Sequence, residues 1–242
     1  MIDEFQINNG EAVFWQLPFF KRSGNMIKGI IFDIDGTLYN SLYVWDDVAV
    51  DYLKSIGGTP ESDLSMQFRN MDLRQAANYY IEHYHVKLTQ EEIMQGINDM
   101  VENEYANNVL PKDGIPELLE ILKNKNIKMC IATATDKYLI EKALERCDLE
   151  NYFIDIFSCT DVGKSKQEPD IYRLALECLG TDKNETAVFE DNLNALTTAK
   201  NDGFKAVGVK DNHSNLKELE DLSDVYVESF NDIEELLKFI DE

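Results

Sequence analysis

From Lys28 to Ile34 the chain is an apolar, β-branched run that stops at Asp35-Gly36, the pattern of a strand buried on both faces of a parallel sheet. The period then changes. Residues 42–55, 73–84 and 89–107 carry helical spacing with no strand between them, and Thr89 with Glu92 reads as a Thr-x-x-Glu capping box opening the third helix. After Pro111–Gly114 strands and helices alternate: helix 115–125, strand 127–133, helix 137–146, strand 154–158, helix 169–179, strand 186–190, helix 193–202, strand 205–209, helix 215–222, strand 224–228 and a last helix beyond Asn231. Strands separated by helices of this length imply right-handed crossovers, and therefore an α/β fold with a doubly wound, Rossmann-like parallel sheet. Residues 26–42 and 112–242 form the expected core, and 43–111 a helical insertion after its first strand. Residues 1–25 follow neither period. Their scattered aromatics (Phe5, Phe14, Trp15, Phe19, Phe20) fit an N-terminal arm, while Lys21-Arg22-Ser23, encodable as AAA-AGG-AGT, fits a ribosome-binding sequence upstream of a start at Met26.

Composition narrows the function classes. The 242 residues include 46 Asp and Glu against 23 Lys and Arg, a net charge of −23, and 44% are apolar, enough for an ordinary core. Such an acidic surface repels phosphate backbones and anionic headgroups, so nucleic-acid and membrane partners are not expected. No apolar run reaches the ~18 residues of a membrane span. The four cysteines are scattered, without Cys-x-x-Cys or histidines at ligand spacing, which gives no support to a zinc site or disulfide framework. A cytoplasmic protein is expected, with a monomer as the default.

In open parallel sheets ligands bind beyond the carboxyl ends of the strands. Those positions hold Asp33-Ile34-Asp35-Gly36-Thr37, Thr133-Ala134-Thr135, Lys164-Ser165-Lys166 and Glu190-Asp191, an acidic, hydroxyl and ammonium set able to share one site. These groups suit phosphoryl transfer, where the protein positions the group and stabilises charge on its oxygens. The Asp33 carboxylate can attack phosphorus, and Asp35, two residues on, can protonate the leaving oxygen and later take a proton from water. Carboxylates gathered around a phosphate need a hard cation, for which Mg²⁺ is the natural choice. Asp33, Asp191 and Glu190 are its expected side-chain ligands, with the Asp35 backbone carbonyl. The Thr133 hydroxyl, backbone N–H groups around Ala134, and the Lys166 ammonium are expected on the phosphate oxygens. Asn192 reads as a cap or turn residue.

From Met26 onward the chain resembles the haloacid dehalogenase-like hydrolases through four ordered motifs: Ile30–Leu38, Ile131–Thr135, Lys164–Tyr172 and Val188–Asn192. The resemblance implies Asp33 as nucleophile, Asp35 as acid/base, Thr133 and Lys166 on phosphate, Glu190 and Asp191 at the metal, and the helical insertion as a cap of the C1 type. Gln167 stands where the family usually has Pro, which aligns Lys166 rather than Lys164 with the phosphate-binding position. The implied activity is a Mg²⁺-dependent phosphatase acting on a small phosphorylated metabolite. Alternatives are a sugar phosphomutase similar to β-phosphoglucomutase and a non-catalytic phospholigand-binding protein. Such mutases carry His where this chain has Trp45 and an Arg in a Gly-containing cap loop, whereas Asn70-Met71-Asp72-Leu73-Arg74 lacks the Gly and displaces the Arg. A dehalogenase would lack Asp35, and a phosphonatase would need a cap lysine in a desolvated setting. Tyr39, Tyr43 and Trp45 lead from the first motif into the insertion and are expected to face substrate.

Overall fold

The computed structural model describes residues 26–68, 71, 73–211 and 216–242; the 1–25 segment, Asn70, Asp72 and the first residue of the expected 215–222 helix lie outside this set. Six parallel strands, β1 (Gly29–Phe32), β2 (Lys128–Thr133), β3 (Ile156–Ser158), β4 (Thr186–Glu190), β5 (Lys205–Val209) and β6 (Val225–Val227), lie in the order β3-β2-β1-β4-β5-β6. The chain winds from β1 through β2 to β3, then returns to the other side of β1 with β4, so the order reverses beside β1. In a doubly wound sheet that reversal opens a crevice at the carboxyl ends.

Strand alternation builds the two layers. Ile30, Phe32, Met129, Ile131, Ala187 and Phe189 enter one buried cluster, while Ile31, Cys130, Ala132 and Val188 enter the cluster on the opposite face. This is why β1 reads as a continuous apolar run: each face has a helical layer to cover.

Between β1 and the helix α5 (Ile115–Asn124) come α1 (Leu42–Ser55), α2 (Leu64–Phe68), α3 (Leu73–His83) and α4 (Gln90–Asn107). The Thr89–Glu92 capping box forms as the sequence indicates: the Glu92 N–H donates to the Thr89 hydroxyl at 3.2 Å, and the Thr89 N–H donates to the Glu92 carboxylate at 2.8 Å. Ile93, Ile97, Val101 and Tyr105 fall one turn apart on α4, are buried, and join the cluster that also holds Phe32 and Phe189. Thus the insertion shares a core with one face of the sheet.

Core helices α6 (Lys137–Arg146), α8 (Asp170–Leu179), α9 (Leu193–Asn201), α10 (Leu216–Leu222) and α11 (Glu234–Asp241) cover the sheet. Two short helices have no counterpart in the periodicity: α2 and α7 (Cys159–Val162), each too brief to establish a period. The Ser158–Asp161 capping box holds α7, with the Ser158 hydroxyl donating to Asp161 at 2.7 Å. Among the described residues no helix is long and apolar enough to cross a membrane.

Candidate active site

Asp33 follows β1 directly. Its N–H donates to the Phe189 carbonyl at 3.0 Å, extending the ladder by one residue and setting Asp33 beside the end of β4, where Glu190 and Asp191 follow. The turn that comes next depends on Gly36. Its φ of 82° lies in the left-handed region, and a Cβ there would come 2.5 Å from an Asp191 carboxylate oxygen. The chain therefore turns back against the acidic cluster only because position 36 has no side chain. Thr37 braces the same cluster, its hydroxyl donating to Asp191 at 3.3 Å.

Asp33, Glu190 and Asp191 are all buried, and one carboxylate oxygen from each lies within 4.8 Å of the others. Lys166, equally buried, donates to both Asp33 and Glu190, the latter at 2.9 Å. Lys164 instead points outward, paired with Glu168 at 2.9 Å and Asp170 at 3.0 Å; Lys166 is the lysine that reaches the site, despite Gln167 after it.

The electrostatics follow from that burial. Desolvation pushes the Asp33 carboxyl above the ordinary aspartate value, and the Lys166 ammonium only partly opposes it. Desolvation, then the charge of Asp33, drives Glu190 well above the usual glutamate value, and the same two causes push Asp191 up to about 8. Burial disfavours the Lys166 ammonium, but Asp33 and Glu190 outweigh it and hold the group well above the usual lysine range. Ionised together, three carboxylates would outnumber the one ammonium, and burial with this mutual repulsion favours their protonated forms. Hard oxygen donors converging in this way suit a small divalent cation such as Mg²⁺, which would take the place of those protons, so Asp33, Glu190 and Asp191 fit the expected ligand set.

Asp35 is held quite differently. Ser41 donates to one of its oxygens at 2.6 Å, Tyr105 donates to the same oxygen, and Thr135 donates to the other at 2.5 Å. Trp45 Nε1 in turn donates to the Tyr105 hydroxyl at 3.3 Å. Tyr105 is fully buried near the end of α4, and burial, then Asp35, keeps its phenol protonated far above the ordinary tyrosine range. The sequence reading does not single out Tyr105. The available signal was a hydroxyl closing an otherwise apolar stripe of Ile93, Ile97 and Val101. Thr135 belongs to the strand-end set that the sequence marks, without a role of its own there, whereas Ser41 carries no such signal, being an ordinary polar residue ahead of a helix.

Thr133 is buried at the end of β2, where its hydroxyl accepts the Thr135 N–H at 3.0 Å. Ala134, exposed, lines a cavity of about 310 Å³ with Asp33, Asp35, Lys166, Glu190 and Asp191. Asn192 caps α9, its side-chain oxygen accepting from the N–H groups of Asn194 at 3.0 Å and Ala195 at 3.2 Å.

The residues expected to face substrate separate. Tyr39 is 1% exposed, and its hydroxyl donates to the Ala143 carbonyl at 3.2 Å, so it belongs to the core and not to the cleft. Its carbonyl accepts the Gly36 N–H at 3.0 Å, closing the turn, while its ring joins the buried cluster that holds Phe32. Tyr43 is exposed, but one step further round α1 it lines an outer groove with Glu104, to which it donates at 3.3 Å. Only Trp45 of the three lines a cavity with Asp35.

Residues 30–209 match the family described as haloacid dehalogenase-like hydrolase, and the chain belongs to that family. It is 26% identical over 181 residues to a phosphorylated carbohydrates phosphatase of Thermotoga maritima, covering 75% of this chain and 84% of that protein. It is also 26% identical to a probable pseudouridine-5'-phosphatase of Drosophila melanogaster, covering 75% and 80%. Among solved structures, one from Thermotoga maritima provisionally assigned as a β-phosphoglucomutase superposes with a TM-score of 0.76 at 26% identity, covering 88% of this chain and 99% of that one. The chain is thus an enzyme of the haloacid dehalogenase-like hydrolase class.

Proposed function

We propose that this enzyme is a Mg²⁺-dependent phosphatase of small phosphorylated metabolites, working through an aspartyl-phosphate at Asp33. The observation that carries the reading is the convergence of Asp33, Glu190 and Asp191 within 4.8 Å, with Lys166 on two of them and Asp35 lining the same cavity. Relatives described as phosphatases support it.

In this reading Asp33, Glu190 and Asp191 hold Mg²⁺, with the Asp35 carbonyl. When bound, the cation neutralises the carboxylates and phosphoryl oxygens so that anion can approach anion. The Lys166 ammonium, the Thr133 hydroxyl and the N–H groups around Ala134 orient the phosphate. An Asp33 oxygen attacks phosphorus, the bond from phosphorus to the ester oxygen breaks, and Asp35 gives its proton to the departing alkoxide. Water then attacks the same phosphorus, Asp35 takes its proton, and the acyl-phosphate bond breaks to release phosphate and restore the Asp33 carboxylate. Residues 43–111 act as the cap that excludes water during the first step. Tyr105 contributes by fixing Asp35 from the cap side.

The test is hydrolysis of an aryl phosphate with Mg²⁺, its abolition by EDTA, and a phosphoryl adduct on the Asp33 peptide after acid quench. Turnover that persists in Asp33→Asn, or no turnover of any phosphomonoester with Mg²⁺, overturns the reading.

A further inference from the structure

Beside the acidic cavity lies a second and larger one, about 630 Å³, which shares Asp35 and Ala134 with it. Trp45 of α1 lines this larger cavity and packs, half-buried, against the core that the insertion shares with the sheet. Its one polar atom is turned to other work. Nε1 donates at 3.3 Å to the Tyr105 hydroxyl, and that hydroxyl donates to Asp35. The face Trp45 shows to the cavity is therefore apolar, while its hydrogen bond goes to a residue that grips the acid.

Chemistry fixes the direction of this chain of bonds. An indole N–H can only donate, so the Tyr105 oxygen accepts it, and the single phenolic proton is left for an acceptor on the other side. That acceptor is Asp35. The rest of Tyr105 has little freedom: its ring is buried in the stripe of Ile93, Ile97 and Val101, and its carbonyl accepts from the Arg146 guanidinium of α6 at 3.3 Å. What remains is rotation of the hydroxyl about its C–O bond, which the indole proton opposes. Released from Trp45, the hydroxyl can turn away from Asp35, and a carboxyl group out of line transfers its proton more slowly.

Building on the phosphatase reading, we infer that Trp45 is a positioning residue, which aligns Asp35 through the Tyr105 hydroxyl for protonation of the leaving oxygen. Its contribution then falls on proton transfer and not only on contact with the alcohol.

Phenyl phosphate and 4-nitrophenyl phosphate present similar rings to the cavity, but phenolate is the poorer leaving group and depends more on a proton from Asp35. We expect Trp45→Phe to lower kcat/KM for phenyl phosphate about fivefold relative to 4-nitrophenyl phosphate, and Tyr105→Phe to lower it about tenfold. The double variant should fall no further than Tyr105→Phe alone, because Trp45 acts through that hydroxyl. Equal losses on both esters, or effects that add in the double variant, mark Trp45 as a wall or packing residue and overturn the inference. The indole N–H resonance of Trp45 reads the same chain without turnover, and Trp15→Phe distinguishes it from that of Trp15, the second of the two tryptophans. It should move in Tyr105→Phe and, by less, in Asp35→Asn; a resonance that neither variant moves overturns the inference even where Trp45→Phe fails to fold. Should the wild-type enzyme hydrolyse neither ester with Mg²⁺, the phosphatase reading falls, and that resonance decides whether Trp45 acts on Asp35.

Discussion

The two cavities that meet at Asp35 and Ala134 are built on opposite principles. The smaller gathers buried charge, three carboxylates set by strand register at the ends of β1 and β4 and the ammonium of Lys166 from the loop before α8. The larger is walled mainly by apolar side chains on helices, with Asn98, Asp136 and Thr160 among them, and contains no described basic residue. Asp35 belongs to both, and it is gripped from both: by Ser41 and Thr135 from the core, and by Tyr105 from α4. The difference teaches that the charged cavity is set by strand register and the larger one by helix packing, the two being joined through one carboxylate. The most direct way to break that division is to remove groups on either side and ask whether rate or discrimination moves.

The largest effect belongs to Asp33→Asn. Turnover should fall by several orders of magnitude while circular dichroism stays unchanged, because the nucleophile is lost and a buried charge is merely reduced. Asp35→Asn should follow, with a loss of about 10²–10⁴ in kcat on alkyl phosphates and a smaller loss on esters with good leaving groups, which need less proton transfer. Tyr105→Phe sharpens the comparison. Removing one hydroxyl from the Asp35 carboxylate should cost about tenfold in kcat, with the same leaving-group dependence and little change in KM. A uniform change in KM for all substrates would instead mark Tyr105 as part of the selecting wall.

Lys166→Met tests the charged side by stability. Breaking a buried ion pair leaves carboxylates uncompensated, and the Mg²⁺-free protein should lose about 3 kcal/mol in denaturant titration. Added Mg²⁺ should restore part of it by mass action. The pH dependence has a defined sign. Asp191, raised from 3.8 to about 8 by burial and then Asp33, binds more protons in the folded than in the unfolded state between those values. The metal-free protein should therefore lose stability as pH rises from about 4 to about 8, with its full contribution present only below about 4. Protons and Mg²⁺ compete for that carboxylate, so Mg²⁺ affinity should rise toward pH 8, with protons released on binding, measurable by calorimetry in buffers of different ionisation enthalpy. The smallest effect is expected at the cap of α4: Thr89→Ala should cost about 1 kcal/mol, seen as a small fall in Tm, and leave the charged cavity untouched.

Much of the core was legible because each signal was local. The unbroken apolar run of β1 required a two-sided sheet, and the residues directly after β1, β2 and β4 had to emerge at its carboxyl end whatever the helices did. That reasoning located Asp33, Asp35, Thr133, Glu190 and Asp191, and the resemblance aligned Lys166 ahead of Lys164. It failed where position depends on which way a helix or turn is rotated. Tyr39 lies close to the site in sequence but points to Ala143, and Tyr43 faces away from the cleft on the same helix that brings Trp45 into it. Tyr105, seventy residues beyond Asp35, reaches it only because α4 shares its core with the sheet face.

By itself the sequence determined the alternating architecture and the chemical groups delivered at the strands' carboxyl ends, because strand period and turn chemistry act over a few residues. Tertiary structure alone decided which hydroxyls grip Asp35, that Trp45 and not Tyr43 turns toward it, and which side chains wall the space beyond. Those contacts join residues distant along the chain, and the orientation of each side chain is fixed by the packing of elements against one another, which no local pattern encodes.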